Sequence, residues 1–113
     1  MKKLLAVAFC IVALTGCDNA NEKKAQGLID EARGLWDQVM PNSPEDRSGS
    51  IKLTKDTVRA CTETLGEARI KLAEVSKDYS DTKAWKSEKA ALLNKAVTGQ
   101  LGRCTEIKHS QGW

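Results

Sequence analysis

The chain has 113 residues, 41% of them hydrophobic, with 18 Lys plus Arg against 15 Asp plus Glu and a formal net charge of +3. This length allows one small domain. The near balance of charge argues against a nucleic-acid binder, which concentrates positive charge on one surface. Glycine-rich phosphate-binding loops are also absent from the sequence, so nucleotide binding has no support.

The start of the chain has the pattern of a secretory signal. Lys2 and Lys3 form a short basic region, and residues 4–14 are apolar or small and uncharged. As a helix, this run would span roughly 17 Å, well short of the ~30 Å hydrocarbon core of a bilayer. It therefore predicts a removable targeting segment and not a lasting transmembrane helix.

Leu14-Thr15-Gly16-Cys17 follows directly and resembles the lipobox of bacterial lipoproteins, an aliphatic residue and two small residues before a cysteine. The resemblance implies that the Cys17 thiol receives a diacylglyceryl group, that residues 1–16 are removed, and that the new amino terminus is acylated. Each CH₂ group of an acyl chain that is buried in the bilayer contributes about 0.8 kcal/mol of binding free energy, so two or three acyl chains hold a protein on a membrane almost permanently. The alternative is an ordinary secretory signal with a chance cysteine.

The two residues after this cysteine, Asp18 and Asn19, resemble the inner-membrane retention signal of enterobacterial lipoproteins. They imply anchorage on the periplasmic face of the inner membrane, with the outer membrane as the alternative. The expected organisation is a signal peptide over 1–16, a lipidated terminus and tether over 17–19, and a helical domain over 20–113. Without residues 1–16, whose only charges are two lysines, the net charge is +1.

Cysteine usage predicts one disulfide in the folded domain. Cys10 lies in the signal and Cys17 carries lipid, which leaves Cys61 and Cys104 to pair in an oxidising compartment. Metal binding and redox chemistry are the alternatives. Both are disfavoured because no CxxC motif is present and His109 is the only histidine. No cofactor beyond the covalent lipid is expected.

Three segments show helical periodicity, over about 20–40, 51–79 and 85–107. We expect Asn19 or Asn21 to cap the first helix and Pro41 to end it. Ser80 or Asp81 gives a turn and a new cap before the third helix. The apolar positions of the second and third helices are Ile51, Thr54, Val58, Cys61, Leu65, Ala68, Leu72, Val75, Tyr79, Trp85, Ala90, Leu93, Val97, Leu101, Cys104 and Ile107.

One antiparallel alignment of these two helices satisfies both the cysteines and the apolar stripes. The pairs Cys61–Cys104, Ala68–Val97, Leu72–Leu93 and Val75–Ala90 all have the same sum of position numbers, as facing residues in an antiparallel pair must. The first helix then covers the open side of the hairpin. The predicted fold is all-α, a small antiparallel three-helix bundle whose long helical hairpin is locked by a disulfide.

Helix lengths suggest two contact surfaces. The hairpin tip returns towards the lipid anchor and carries aromatic and basic residues suited to a membrane surface or a partner: Tyr79, Lys83, Trp85, Lys86 and Lys89. The alternative is a solvated lysine face. Because the first helix is shorter than the hairpin, it would also leave part of the hairpin uncovered as an apolar partner surface. The alternative is that the first helix is shifted along the hairpin and covers this part. That surface comprises Ala68, Leu72, Val75, Ala90, Leu93 and Val97.

No residue grouping supports catalysis. His109 stands alone, and the adjacent carboxylates Asp30-Glu31 and Glu45-Asp46 fit helix surface and loop better than an acid–base pair. We therefore expect a non-enzymatic, membrane-anchored module that binds another envelope protein, of the exclusion or immunity type. The alternative is an accessory or structural subunit of an envelope assembly such as a secretion or conjugation system. Self-association is a further option, and nucleic acid is not an expected partner.

Overall fold

The structure, a computed structural model, describes the backbone of residues 2–46 and 51–113 and the side chains of residues 20–46 and 51–113. Over this part of the chain it is all-α, with no strand. The helices are α1 (Lys2–Val39), α2 (Lys55–Asp78), α3 (Lys83–Lys86) and α4 (Glu88–Gln111).

Helix α1 differs from its prediction at its start. It is continuous from Lys2, so the expected start near residue 20 and a cap at Asn19 or Asn21 are wrong for the uncut chain. No proline lies between residues 2 and 39 to interrupt the helix, and Gly16 weakens it by only about 1 kcal/mol. The end is as expected, since Val39 is the last helical residue and Pro41 follows shortly after.

Hydroxyl side chains determine where the other helices begin. Thr54 caps α2, accepting from the Thr57 N–H at 3.2 Å, while the Thr57 hydroxyl accepts from the Thr54 N–H at 2.8 Å. Thr82 caps α3 by accepting from the Trp85 N–H, and Ser87 caps α4 by accepting from the Ala90 N–H. The expected cap at Ser80 or Asp81 is therefore wrong. The turn between α2 and α4 therefore contains a short helix that the sequence pattern did not predict.

Helix α4 ends in a glycine cap. Gly112 adopts a left-handed conformation with φ of 71°, which a residue without a Cβ adopts at little cost. Its N–H donates to the His109 carbonyl at 3.3 Å, and the Trp113 N–H donates to the Lys108 carbonyl at 2.9 Å, as in a Schellman motif. This cap folds the half-buried Trp113 back against the core.

The disulfide between Cys61 and Cys104 confirms the predicted pairing, with a Cα–Cα distance of 6.3 Å. It joins α2 to α4, which run in opposite directions from the turn at 79–87. Helix α1 packs mainly along α2 and touches α4 much less. The Lys71 ammonium lies 3.4 Å from a Glu31 carboxylate oxygen, consistent with α1 running antiparallel to α2.

Burial corrects one expectation about the core. On α1 the most buried residues are Ala25, Ile29, Ala32, Trp36 and Met40, and Leu28 and Leu35 beside them are half-buried. The proposed apolar partner surface is wrong, because its members are at most 1% exposed: Ala68, Leu72, Val75, Ala90, Leu93 and Val97. Helix α1 reaches the hairpin tip and helps to cover them, so they form core and not a docking surface.

Candidate functional site

The hairpin tip, which we define as residues 79–89, brings the predicted contact residues to one end of the domain. Lys83, Lys86 and Lys89 are exposed, while Tyr79 and Trp85 are half-buried against the core. The aromatic residues thus close the end of the core and still present part of their surface to solvent. The tip combines positive charge with amphipathic aromatic rings, as expected from the sequence.

A carboxylate of α1 fastens this tip. One oxygen of Glu22 accepts from the Lys83 N–H at 2.6 Å, and the other accepts from the Ala84 N–H at 3.1 Å. These donors belong to the first turn of α3, whose N–H groups have no partner within the helix. Glu22 was not predicted from the sequence, because nothing local indicates a contact 61 and 62 residues along the chain.

The predicted lipid anchor lies close to this contact in the sequence. Cys17, Asp18 and Asn19 belong to the helical backbone of α1, but their side chains lie outside the residues that the structure describes. Cys17 precedes Glu22 by five positions, which is about 7.5 Å along an α-helix. The start of the predicted mature chain and the hairpin tip are therefore neighbours.

After α1, residues 40–46 form a loop that folds back along the helix. The Trp36 indole N–H donates to the Asn42 carbonyl at 2.7 Å. One Arg33 nitrogen donates to both carboxylate oxygens of Glu45, at 2.9 and 3.1 Å. Pro44 is buried. Burial alone would raise the pKa of Glu45, but the hydrogen bond and charge of Arg33, with a contribution from Lys89, hold it below its ordinary value.

Between this loop and α4 lies a cavity of about 270 Å³, which we call the loop pocket. Trp36, Met40 and Asn42 line it from the α1 side, and Lys95 and Arg103 belong to the α4 side. The buried Asn42 Oδ1 atom has no hydrogen-bond partner within the described part of the chain. Asp46 also borders the pocket, and its polar groups are engaged in contacts of their own.

A second depression, the α2–α4 groove, lies between those two helices and is wide and open, with a volume of about 760 Å³. Gly66 and Gly102 line it from opposite helices. Apart from adjacent residues and the backbone of their own helix, no described heavy atom lies within 4 Å of where a Cβ would be. Its remaining lining residues are Thr62, Arg69, Leu101, Thr105, Glu106 and His109. Ile70, which is 69% exposed, follows Gly66 by one helical turn.

Three residues considered for catalysis, Asp30, Glu31 and His109, lie on exposed helix surfaces. Asp30 accepts from Gln26 at 2.8 Å, and Glu31 pairs with Lys71 on the helix surface. His109 is exposed at the edge of the α2–α4 groove.

The described residues contain no group of three or more His, Cys, Asp or Glu side chains able to hold a metal ion. Within the same part of the chain, no helix has the length and apolarity needed to cross a membrane.

Comparison with known proteins identifies no relative: no family model, no curated protein and no solved structure matches this chain. A function is therefore argued from the tip, the loop pocket and the α2–α4 groove themselves.

Proposed function

We propose that the protein is a bacterial lipoprotein cut before Cys17, held by its lipids on the periplasmic face of the inner membrane. Its mature part is a disulfide-locked antiparallel three-helix bundle. It acts by binding another envelope protein, as exclusion or immunity factors do, and not by catalysis. The lipobox-like segment and the Cys61–Cys104 bond support this assignment, because disulfides persist in oxidising compartments outside the cytoplasm.

The bonds from Glu22 to the first turn of α3 carry the proposal. They hold the hairpin tip within about 1.5 helical turns of the lipidated residue. Lipids on Cys17 would thus bring Lys83, Lys86 and Lys89 to the membrane surface, where each lysine gains about 1 kcal/mol from anionic headgroups. Tyr79 and Trp85 suit the same interfacial zone.

This orientation directs the opposite end of the hairpin into the periplasm. Helix α2 has 24 residues, so it spans about 36 Å. The α2–α4 groove includes residues at the disulfide end of both helices, and no described residue of α1 lines it. Its partly apolar lining, with the exposed Ile70 one helical turn along α2 from Gly66, favours this face as the contact surface for the envelope partner.

The anchor is tested in cells of a bacterium that sorts lipoproteins by the residue after the cysteine. We expect labelled palmitate to enter the wild-type protein and not the Cys17→Ser variant, and Asp18→Ser to move the protein to the outer-membrane fraction. Cys10→Ser is the matched control and should change neither result. Palmitate incorporation into Cys17→Ser would contradict the assignment of the lipidated residue.

Membrane contact of the tip is tested by flotation of residues 18–113 with anionic and with zwitterionic vesicles. The wild-type domain should float with anionic vesicles, and changing Lys83, Lys86 and Lys89 together to Glu should abolish this. A matched control replaces three lysines near the opposite end, Lys52, Lys55 and Lys108, by Glu. Equal flotation of the tip variant and the wild type would exclude a membrane-facing tip.

Partner binding is tested by photo-crosslinking in cells. A crosslinking residue at Thr105, in the α2–α4 groove, should capture a discrete envelope protein, whereas one at Asp30, on the exposed surface of α1, should not. The captured protein also separates the two roles. An agent that crosses the envelope supports exclusion or immunity, and a secretion or conjugation subunit supports the accessory role. Capture from Asp30 alone would exclude the groove as the contact surface.

A further inference from the structure

The loop pocket has an apolar wall that is already in place. Trp36 and Met40 are 3% and 6% exposed and belong to the core. The indole N–H of Trp36 is engaged by the Asn42 carbonyl, and the small exposed part of each of these two side chains borders the pocket. The ion pair between Arg33 of α1 and Glu45 of the loop holds the loop against the helix. A preformed wall of this kind is typical of small-molecule sites.

The opposite wall of the loop pocket belongs to α4 and has two cationic residues, Lys95 and Arg103. Lys95, Gly99 and Arg103 follow one another at intervals of four residues, so they lie along one side of α4. Gly99 has no side chain, and apart from its neighbours and backbone in α4 no described heavy atom lies within 4 Å of where its Cβ would be. The space between the cations is therefore open. Neither Lys95 nor Arg103 forms an ion pair with any described residue.

Asn42 also borders the pocket. It donates through its Nδ2 atom to the carbonyls of Ser43 and Asp46, and its buried Oδ1 atom has no hydrogen-bond partner among the described residues. A carboxylate or a fully ionised phosphate has no N–H or O–H to donate to this oxygen, so the cations and the apolar wall alone define the ligand.

We propose that the loop pocket binds a small organic anion with an apolar portion, its carboxylate or phosphate group lying between Lys95 and Arg103 and its apolar portion against Trp36 and Met40. Guanidinium and ammonium groups bind both kinds of anion by charge-assisted hydrogen bonds. The volume of about 270 Å³ is close to the lower limit of about 300 Å³ for ligand pockets. A single-ring molecule therefore fits and a nucleotide does not. This site is independent of the lipid anchor and of the α2–α4 groove.

The test is a titration followed by the backbone amide and indole N–H signals of the isotope-labelled protein. The probes are phenylacetate and phenyl phosphate, with acetate, inorganic phosphate and phenethylamine as comparisons. We expect the two aromatic anions to shift the signals of Trp36, Asn42 and Gly99. The three comparison compounds should cause much smaller shifts, because each lacks either the ring or the negative charge.

Two glycines of α4 supply matched variants. Gly99→Leu fills the loop pocket and should weaken binding at least tenfold without unfolding the helix, whereas Gly102→Leu fills the α2–α4 groove and should leave affinity unchanged. Arg103→Gln and Lys95→Gln should each weaken binding roughly tenfold, and Arg69→Gln should not. An absence of shifts at roughly 10 mM of either aromatic anion would overturn the proposal. Equal binding of phenethylamine, or full binding by Gly99→Leu, would overturn it too.

Discussion

The two ends of the α2–α4 hairpin are held together by different means. At one end the Cys61–Cys104 bond joins the helices covalently. At the other end the turn depends on hydrogen bonds: Thr82 and Ser87 cap the two following helices, and Glu22 binds the start of α3 from α1. The disulfide end therefore has a covalent link between α2 and α4, whereas the hydrogen bonds of the tip include a residue of α1, the helix that carries the predicted anchor.

The largest expected effect comes from the covalent end. Replacing Cys61 and Cys104 together by Ala should lower the free energy of unfolding by roughly 4 kcal/mol, since the bond closes a loop with a sequence separation of 43. Urea unfolding of the wild type with and without reductant measures the same quantity. A reductant should leave the double variant unaffected, and a loss below about 1 kcal/mol would mean that the unfolded chain gains little freedom.

A core substitution in the tip half tests whether α1 covers it. Leu72 is 1% exposed, so Leu72→Ala should cost about 3 kcal/mol. Ile70 on the same helix is 69% exposed, and Ile70→Ala should stay within about 0.5 kcal/mol of the wild type. Similar costs for the two variants, measured by urea unfolding, would show that this half of the hairpin is open in solution.

The hairpin was predictable from the sequence because its determinants are periodic. The buried residues of α2 are those of the predicted stripe from Val58 to Val75, and those of α4 fall on Ala90, Leu93, Val97 and Cys104. The position of α1 was not predictable. Its apolar pattern fits several placements along the hairpin, and the Glu22 contact that distinguishes them joins distant parts of the chain.

The candidate sites were predictable only where residue type alone carries the signal. The tip lysines and aromatic residues could be recognised as a possible membrane or partner contact from the sequence. Their charge and amphipathic character are known from residue type and do not depend on the exact position of α1. The loop pocket could not be predicted, because residues 41–46 are mostly polar and their return along α1 depends on the pairing of Glu45 with Arg33. The Thr82 and Ser87 caps left a local signal, a hydroxyl residue directly before each helix, that the prediction overlooked.

The stability of the hairpin tip should fall when one carboxylate oxygen of Glu22 is replaced by an amide nitrogen. Glu22→Gln removes the charge from two hydrogen bonds and replaces one acceptor oxygen by a donor, so we expect a loss of about 1–2 kcal/mol. Amide exchange at Lys83 and Ala84 should accelerate, while exchange in α2 near Cys61 should change less. Glu67→Gln, on the exposed surface of α2, is the control. Unchanged exchange at Lys83 and Ala84 would show that the Glu22 contact does not order the tip.

The smallest expected effect concerns Glu45 and its pH dependence. Since the folded protein holds the pKa of Glu45 below its ordinary value of about 4.5, the carboxylate contributes stability above that value and loses it as the pH falls through the lower folded-state pKa. The contribution should be below about 1 kcal/mol, because both partners are roughly one-third exposed. The difference in unfolding free energy between wild type and Glu45→Gln should therefore be seen at neutral pH and shrink in acid. Arg33→Gln should reproduce this profile, and a difference that persists unchanged in acid would assign the effect to loop packing instead of the ion pair.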